Sequence, residues 1–230
     1  MKEGKTRTVT TVILKSAVIV SVIAGLLLSF GAARGSFMSG SRIFMYFTIQ
    51  SNILIGLICL AGLFFLSGKI RPDGRWAVSV FVGTVSITLT GLVFCFILAP
   101  TLGAGAWSMH NILTHVSVPL FSIADFFVMG RDYRIGKNRL VYITIPPLLY
   151  VIYAGIAYVK GWEFSSGHNY PYFFLNWGSP AGAFGFKKGF PFMGCVWWIA
   201  AILLLLLAVG SFYLWLLGKV NEDPLPEDDR

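Results

Sequence analysis

Hydrophobic positions in this chain neither alternate nor fall on a single helical stripe; they run in long blocks. Six blocks are long enough to cross roughly 30 Å of hydrocarbon, which takes about 20 helical residues. They lie near 10–30, 43–66, 76–98, 110–129, 139–159 and 191–216. The last is the most continuous, unbroken from Ile202 to Val209, and the fourth is the most polar, interrupted by Asn111, His115 and Asp125. This pattern predicts an all-α, polytopic membrane helix bundle of six transmembrane helices. It forms a single domain over 1–217, followed by an acidic cytoplasmic tail over 218–230. The first block has a basic start (Lys2, Lys5, Arg7) and small residues at Ala32 and Ala33, as a signal peptide has. Its apolar stretch is long for a signal peptide, so it reads as a retained helix. No internal repeat is visible, which removes the support an inverted-repeat transporter would need.

Composition agrees with the blocks. Only 12% of residues are charged and 56% are hydrophobic, with a mean hydropathy of +0.75. A water-facing globule carries about 25% charged residues, so this surface is matched to lipid, and membrane lipids are its expected partners. The net charge of +8 does not point to nucleic acid, because the basic residues sit between apolar blocks rather than on one face. They act as topology signals instead. Thirteen of the 18 Lys and Arg residues fall at the N-terminus, in the second and fourth loops and in the C-terminal tail. The other five are Arg34, Arg42, Lys160, Lys187 and Lys188. The positive-inside rule then predicts a multi-pass cell-membrane protein with both termini cytoplasmic. Cys59, Cys95 and Cys195 lie in three different blocks without a CxxC pair, so no disulfide framework or metal site is expected.

Ionisable groups within a bilayer are costly and are functional candidates by default. Lys15 is near enough to one end of its helix to snorkel. Asp125 lies near Arg131 and Arg134 and reads as an interfacial salt bridge or as a relay point. His115 is deeper. Helices two and four both run inward from the outer side, and Thr48 and His115 each fall about five residues in, at roughly 7–8 Å depth. Ser51 and Asn52 share the face of Thr48, and Asn111 shares that of His115. Two polar faces at one depth read either as interhelical glue or as a small site. Pro119 withholds the N–H that the His115 carbonyl would normally accept, so that carbonyl needs another donor.

A hydroxyl beside a histidine suits acyl transfer, with the imidazole moving the proton and Asn52 or Asn111 available to an oxyanion. The depth suits a lipid ester. GxSxG, HExxH and P-loop motifs are absent, one deep histidine cannot supply two haem ligands, and no cofactor is implied. The loop from Lys160 to Phe190 is crowded with aromatics, Trp162 and Tyr172 among them. It reads as an aromatic belt at the headgroups, as a lid, or as both.

The stretches MYFTIQSNILIG, HNILTHVSVPLFSIADF, PPLLYVIYAGIAYVKGW and NYPYFFLN resemble a known family. It comprises the bacterial six-helix membrane proteins related to the androgen-induced and androgen-dependent TFPI-regulating proteins. The resemblance covers roughly residues 40–217. It implies a six-helix threonine hydrolase of a fatty acid ester of a hydroxy fatty acid, with the threonine at Thr48 and the histidine at His115. Supporting positions would then be Ser51, Asn52, Asn111, Trp162 and Tyr172. The alternatives are a small-solute or proton transporter with His115 and Asp125 as relay points, and a non-catalytic membrane scaffold.

Overall fold

The computed structural model describes residues 2–32, 40–68 and 73–222. Ala33, Arg34, Lys69, Arg71 and the tail from residue 223 lie outside the described residues. Six long helices succeed one another: α1 (Lys2–Ala32), α2 (Phe47–Leu66), α3 (Gly74–Leu102), α4 (Met109–Val128), α5 (Lys137–Val159) and α6 (Cys195–Glu222). Each contains a stretch long and apolar enough to cross a membrane. In hydrocarbon a helix satisfies its own backbone, which is why apolar blocks of this length take that form. The chain is an all-α, multi-pass membrane bundle, as its hydropathy predicts.

Several boundaries differ from the hydropathy blocks for local reasons. α2 starts at Phe47 rather than near 43, because Gly40–Met45 forms a 3₁₀ turn and Tyr46 is extended, with φ −89° and ψ 139°. α5 opens as a 3₁₀ helix over Lys137–Thr144 and becomes α-helical at Ile145. Pro146 and Pro147 sit in that first α turn and cannot donate to the 3₁₀ turns before it. α6 begins at Cys195 and runs on to Glu222, so the first residues of the expected tail are helical.

α1 packs on α2 and α4, α2 on α3, and α3 on α4, which closes a ring of four. α6 packs on the opening turns of α5 and on α3. α3 therefore belongs to both groups. In its most apolar stretch 67% of residues are buried, against 17% for α6, which turns most of its surface outward.

Inside the ring, Lys15 Nζ lies 2.6 Å from Asp125 Oδ2, with side chains 3% and 4% exposed. Lys15 does not snorkel, and Asp125 finds its ion-pair partner on α1 rather than in Arg134. Arg134 donates to Asn221 of α6 instead. The lysine stem lies against Gly62 of α2, where a Cβ would come within 2.9 Å of Lys15 Cε. The pair thus joins three helices.

Removing one partner strands a charge in the bundle, which costs about 3–5 kcal/mol when a buried pair is broken. Lys15→Ala and Asp125→Ala should each lower the thermal unfolding midpoint in detergent. Replacing both by apolar residues, Lys15→Met with Asp125→Leu, should recover most of the loss. A double variant as unstable as the two single losses combined would rule out the stranded charge as the cause.

Candidate functional site

Thr48 is the second residue of α2, not a residue one turn deeper, because the helix starts at Phe47. The first amides of a helix have no partner within it, and they give that end a partial positive charge. Thr48 carries its hydroxyl at that end. The preceding turn is held by Tyr46, buried and donating from its phenol to the Phe164 carbonyl at 3.2 Å, and by Tyr150, which donates to the Met45 carbonyl at 3.1 Å. The phenol of Tyr172 lies 3.4 Å from Thr48 Oγ1 and accepts from the Thr48 amide, also at 3.4 Å. Burial raises the Tyr172 pKa above the ordinary phenol range, and the Thr48 hydroxyl and amide pull it back in part. Tyr172 is therefore a neutral donor at physiological pH.

His115 sits where α4 widens into a π turn over Leu113–Ser117, and α3 widens likewise over Phe94–Leu98. Such turns recur at functional sites. The two face each other: the rings of Phe94 and His115 stack with centroids 3.8 Å apart and planes 21° apart. The π turn also relocates the vacancy left by Pro119. Val118 N–H reaches the Leu113 carbonyl, so in that register the next N–H, the one proline lacks, belongs to Thr114. The Thr114 carbonyl accepts from Asn52 Nδ2 at 3.1 Å, and the same amide group reaches the Thr48 carbonyl at 2.8 Å. Asn52 thus completes the broken helix and ties it to the first turn of α2. The His115 carbonyl instead packs on Gly91 of α3, where a Cβ would approach it to 2.9 Å.

The imidazole tautomer is set by its neighbours. His115 Nδ1 lies 3.1 Å from the Asn111 carbonyl, which only accepts, so Nδ1 carries the proton. Thr114 Oγ1, 3.0 Å from Nδ1, gives its own proton to the His110 carbonyl at 2.8 Å and can accept as well. Nε2 is left with its lone pair and no hydrogen-bond partner among the described residues. It is placed to act as a base.

Thr48 and His115 both line one cavity of about 560 Å³, together with Asn111, Tyr46, Phe94 and Tyr172. They share no hydrogen bond with each other; the hydroxyl contact of Thr48 is Tyr172. Asn111 turns its amide to the Ala106 carbonyl at 3.0 Å and closes one wall. Ser51 points away from the cavity and pairs with Thr90 of α3 at 2.8 Å. Trp162 is not brought to the site. It is 47% exposed, and among the described residues its ring meets that of Tyr153, with centroids 6.3 Å apart. The long loop therefore divides, with Trp162 at the surface and Tyr172 inserted beside Thr48.

Sequence reasoning does not single out Phe94, Thr114, Tyr46 or His168 as residues of this site. Phe94 and Thr114 carry no signal, since an apolar residue and a helical threonine are ordinary among so many. His168 is visible as a polar residue in an aromatic loop, but its arrival at the chamber depends on how that loop folds.

Gly91 offers a direct test of this packing. Gly91→Ala sets a methyl 2.9 Å from the His115 carbonyl and 3.2 Å from Pro119 Cγ, both of them rigid. Overpacking of this kind costs about 1–3 kcal/mol. The variant should unfold at a lower temperature than wild type, while Gly155→Ala, with nothing within 4 Å, should not. Equal midpoints for the two variants would contradict the close approach of α3 and α4.

Comparison with family models, with curated proteins and with solved structures finds no match.

Proposed function

We propose that this protein is an intramembrane hydrolase of lipid esters, with Thr48 as nucleophile and His115 as general base. The observation that carries the reading is that these two side chains, from different helices, line one chamber, while among the described residues the His115 ring makes its hydrogen bonds through Nδ1 and leaves Nε2 open. Threonine is a poor nucleophile unaided and needs a base of this kind.

The reaction can be written on those atoms. Nε2 takes the Thr48 proton as Oγ1 bonds to the ester carbonyl carbon, and the carbonyl electron pair moves onto oxygen. The donor nearest that oxyanion is the Tyr172 phenol, since the Thr48 amide already donates to Tyr172 and the Ile49 and Gln50 amides to the Tyr46 carbonyl. Collapse breaks the bond to the alcohol, which leaves with the proton held on Nε2. Water, deprotonated by the same nitrogen, then releases the acid and restores Thr48. Thr48 and His115 must close on each other through substrate or water, since catalytic contacts often tighten only in the complex.

A transporter reading needs His115 and Asp125 as relay points. Asp125 already has its counter-ion in Lys15, and the residues between the two levels include the fully buried Val118 and Val85. These features favour hydrolysis over conduction.

Orientation belongs to the proposal. The excess of Lys and Arg on one side supports an orientation with the chamber on the outer face and both termini in the cytoplasm. On a background lacking the three native cysteines, Trp107→Cys should react with a membrane-impermeant maleimide in intact cells. Reaction only after permeabilisation would reverse the orientation.

Catalysis is tested with purified protein in nanodiscs and a panel of branched fatty esters, acylglycerols and phospholipids. Thr48→Ala and His115→Ala should each abolish hydrolysis and labelling by hydroxyl-directed acylating probes, Thr48→Ala with an unfolding midpoint near wild type and His115→Ala with a lower midpoint but a folded protein, since it removes the ring stacked on Phe94. Thr48→Ser should retain activity. The double variant should be no worse than either single one, because residues acting as a unit fail together. Tyr172→Phe should lower kcat by about 10²-fold, the scale of one lost oxyanion donor. Undiminished hydrolysis by Thr48→Ala would end this reading.

A further inference from the structure

Thr114 and His115 are adjacent in sequence and their side chains touch, with Thr114 Oγ1 3.0 Å from His115 Nδ1. On a regular α-helix, neighbours in sequence point apart. Both residues stand in the π turn over Leu113–Ser117. Such a turn spends more residues on each revolution, so successive side chains diverge less.

Thr114 is held at both arms of its Cβ. The hydroxyl donates to the His110 carbonyl at 2.8 Å, which leaves an oxygen lone pair for the imidazole. The methyl lies against Gly25 of α1, where a Cβ would come within 2.6 Å of Thr114 Cγ2. A β-branched side chain gripped on both branches does not turn about χ1. Thr114 is 1% exposed, so bulk water does not compete for that oxygen.

The imidazole is gripped in its turn. Its Nδ1–H meets the Thr114 hydroxyl and, at 3.1 Å, the Asn111 carbonyl, and the ring face stacks on Phe94. The opposite edge of the ring, which carries Nε2, is left to the chamber that His115 lines. When Nε2 takes a proton the ring becomes cationic, and hydrogen bonds from Nδ1–H strengthen.

We infer that Thr114 is a positioning residue: its hydroxyl, locked by the methyl against Gly25, fixes the His115 ring with Nδ1 protonated and Nε2 free. That the ring so fixed serves as a base rests on the hydrolase reading; the lock on the ring does not.

The test uses the full chain in phosphatidylcholine nanodiscs and has two readouts. One is the Hδ1–Nδ1 resonance of His115 in protein made with isotope-labelled histidine, identified by its loss in His115→Ala. The other is labelling of Thr48 by an alkyl fluorophosphonate, in which Oγ1 bonds to phosphorus and fluoride leaves. Its concentration dependence gives a saturation constant and a limiting rate. Thr114→Val keeps the shape of the side chain and removes the hydroxyl. It should move Hδ1 upfield and speed its exchange with solvent about tenfold, the scale of one lost hydrogen bond. The limiting rate of labelling should fall by about the same factor, with the saturation constant unchanged. Thr114→Ser restores the hydroxyl and should bring both readouts to within about threefold of wild type. Gly25→Ala should behave like Thr114→Val although the hydroxyl is present. Adding Thr114→Ser to Gly25→Ala should restore both readouts, because loss of the threonine methyl makes room for the alanine one. That recovery separates the lock from a folding defect in any single variant. A wild-type resonance in Thr114→Val, or a Gly25→Ala defect that Thr114→Ser does not relieve, would overturn the lock. If the resonance follows the variants as stated while wild-type Thr48 is never labelled, the hydrolase falls and the lock stands. If wild-type Thr48 is labelled and the resonance ignores both Thr114 variants, the lock falls and the hydrolase stands.

Discussion

Lys15 and Asp125 meet at 2.6 Å where neither side chain reaches the surface, and the arrangement of the ring depends on that contact. In hydrocarbon an unpaired charge is costly, so α1 and α4 have only the rotational settings that keep the two together. Gly62 lets α2 close over the lysine stem. Further along α1, Gly25 lies so near Thr114 that a Cβ would come within 2.6 Å of its Cγ2. The helix pinned by the ion pair at one level thus presses on the π turn at another. The setting of His115 is inherited from a contact ten residues away.

The same scarcity of solvent explains the network around the histidine. A proline within a membrane helix leaves a carbonyl that water cannot satisfy. Asn52 supplies the missing donor from α2, and both of its amide hydrogens are spent on carbonyls, those of Thr48 and Thr114. One side chain thereby holds the first turn of α2 in register with the interrupted turn of α4. These are the two turns that carry Thr48 and His115. The glue reading and the site reading of these polar residues therefore describe one arrangement, in which Ser51, Asn52 and Thr90 bind helices and Thr48 and His115 face open space.

The fold is legible in the sequence because hydropathy counts residues, and six blocks of sufficient length permit little else. Helix starts are less legible. Residues 43–46 are as apolar as the first turns of α2, and nothing in their order tells a 3₁₀ turn from an α turn, so hydropathy sets Thr48 too deep. The depth match of Thr48 and His115 assumes straight helices, whereas both α3 and α4 contain π turns that alter phase along the axis. Lys15 misleads for a related reason. Distance from a helix end suggests that a lysine snorkels, and only the packed structure reveals a carboxylate closer than the interface. In the long loop, aromatic content alone does not sort Tyr172, which enters the bundle, from Trp162, which stays outside.

Hydrolysis within a membrane makes opposed demands, since the ester comes from lipid and the second reactant is water. A nucleophile deep in hydrocarbon would be acylated and stay so, and one in open solvent would rarely meet its ester. Thr48 is placed between these cases. Its neighbours on one side are Leu89, Val93 and Leu203, and on the other Asn111, His115 and His168. The helix start that displaces it from its expected depth is what puts it there. A threonine one turn further into α2, as Asn52 is, would be enclosed by α3 and α4 and reach neither space. On the proposed reading, the late start of α2 at Phe47 gives one hydroxyl access to both reactants.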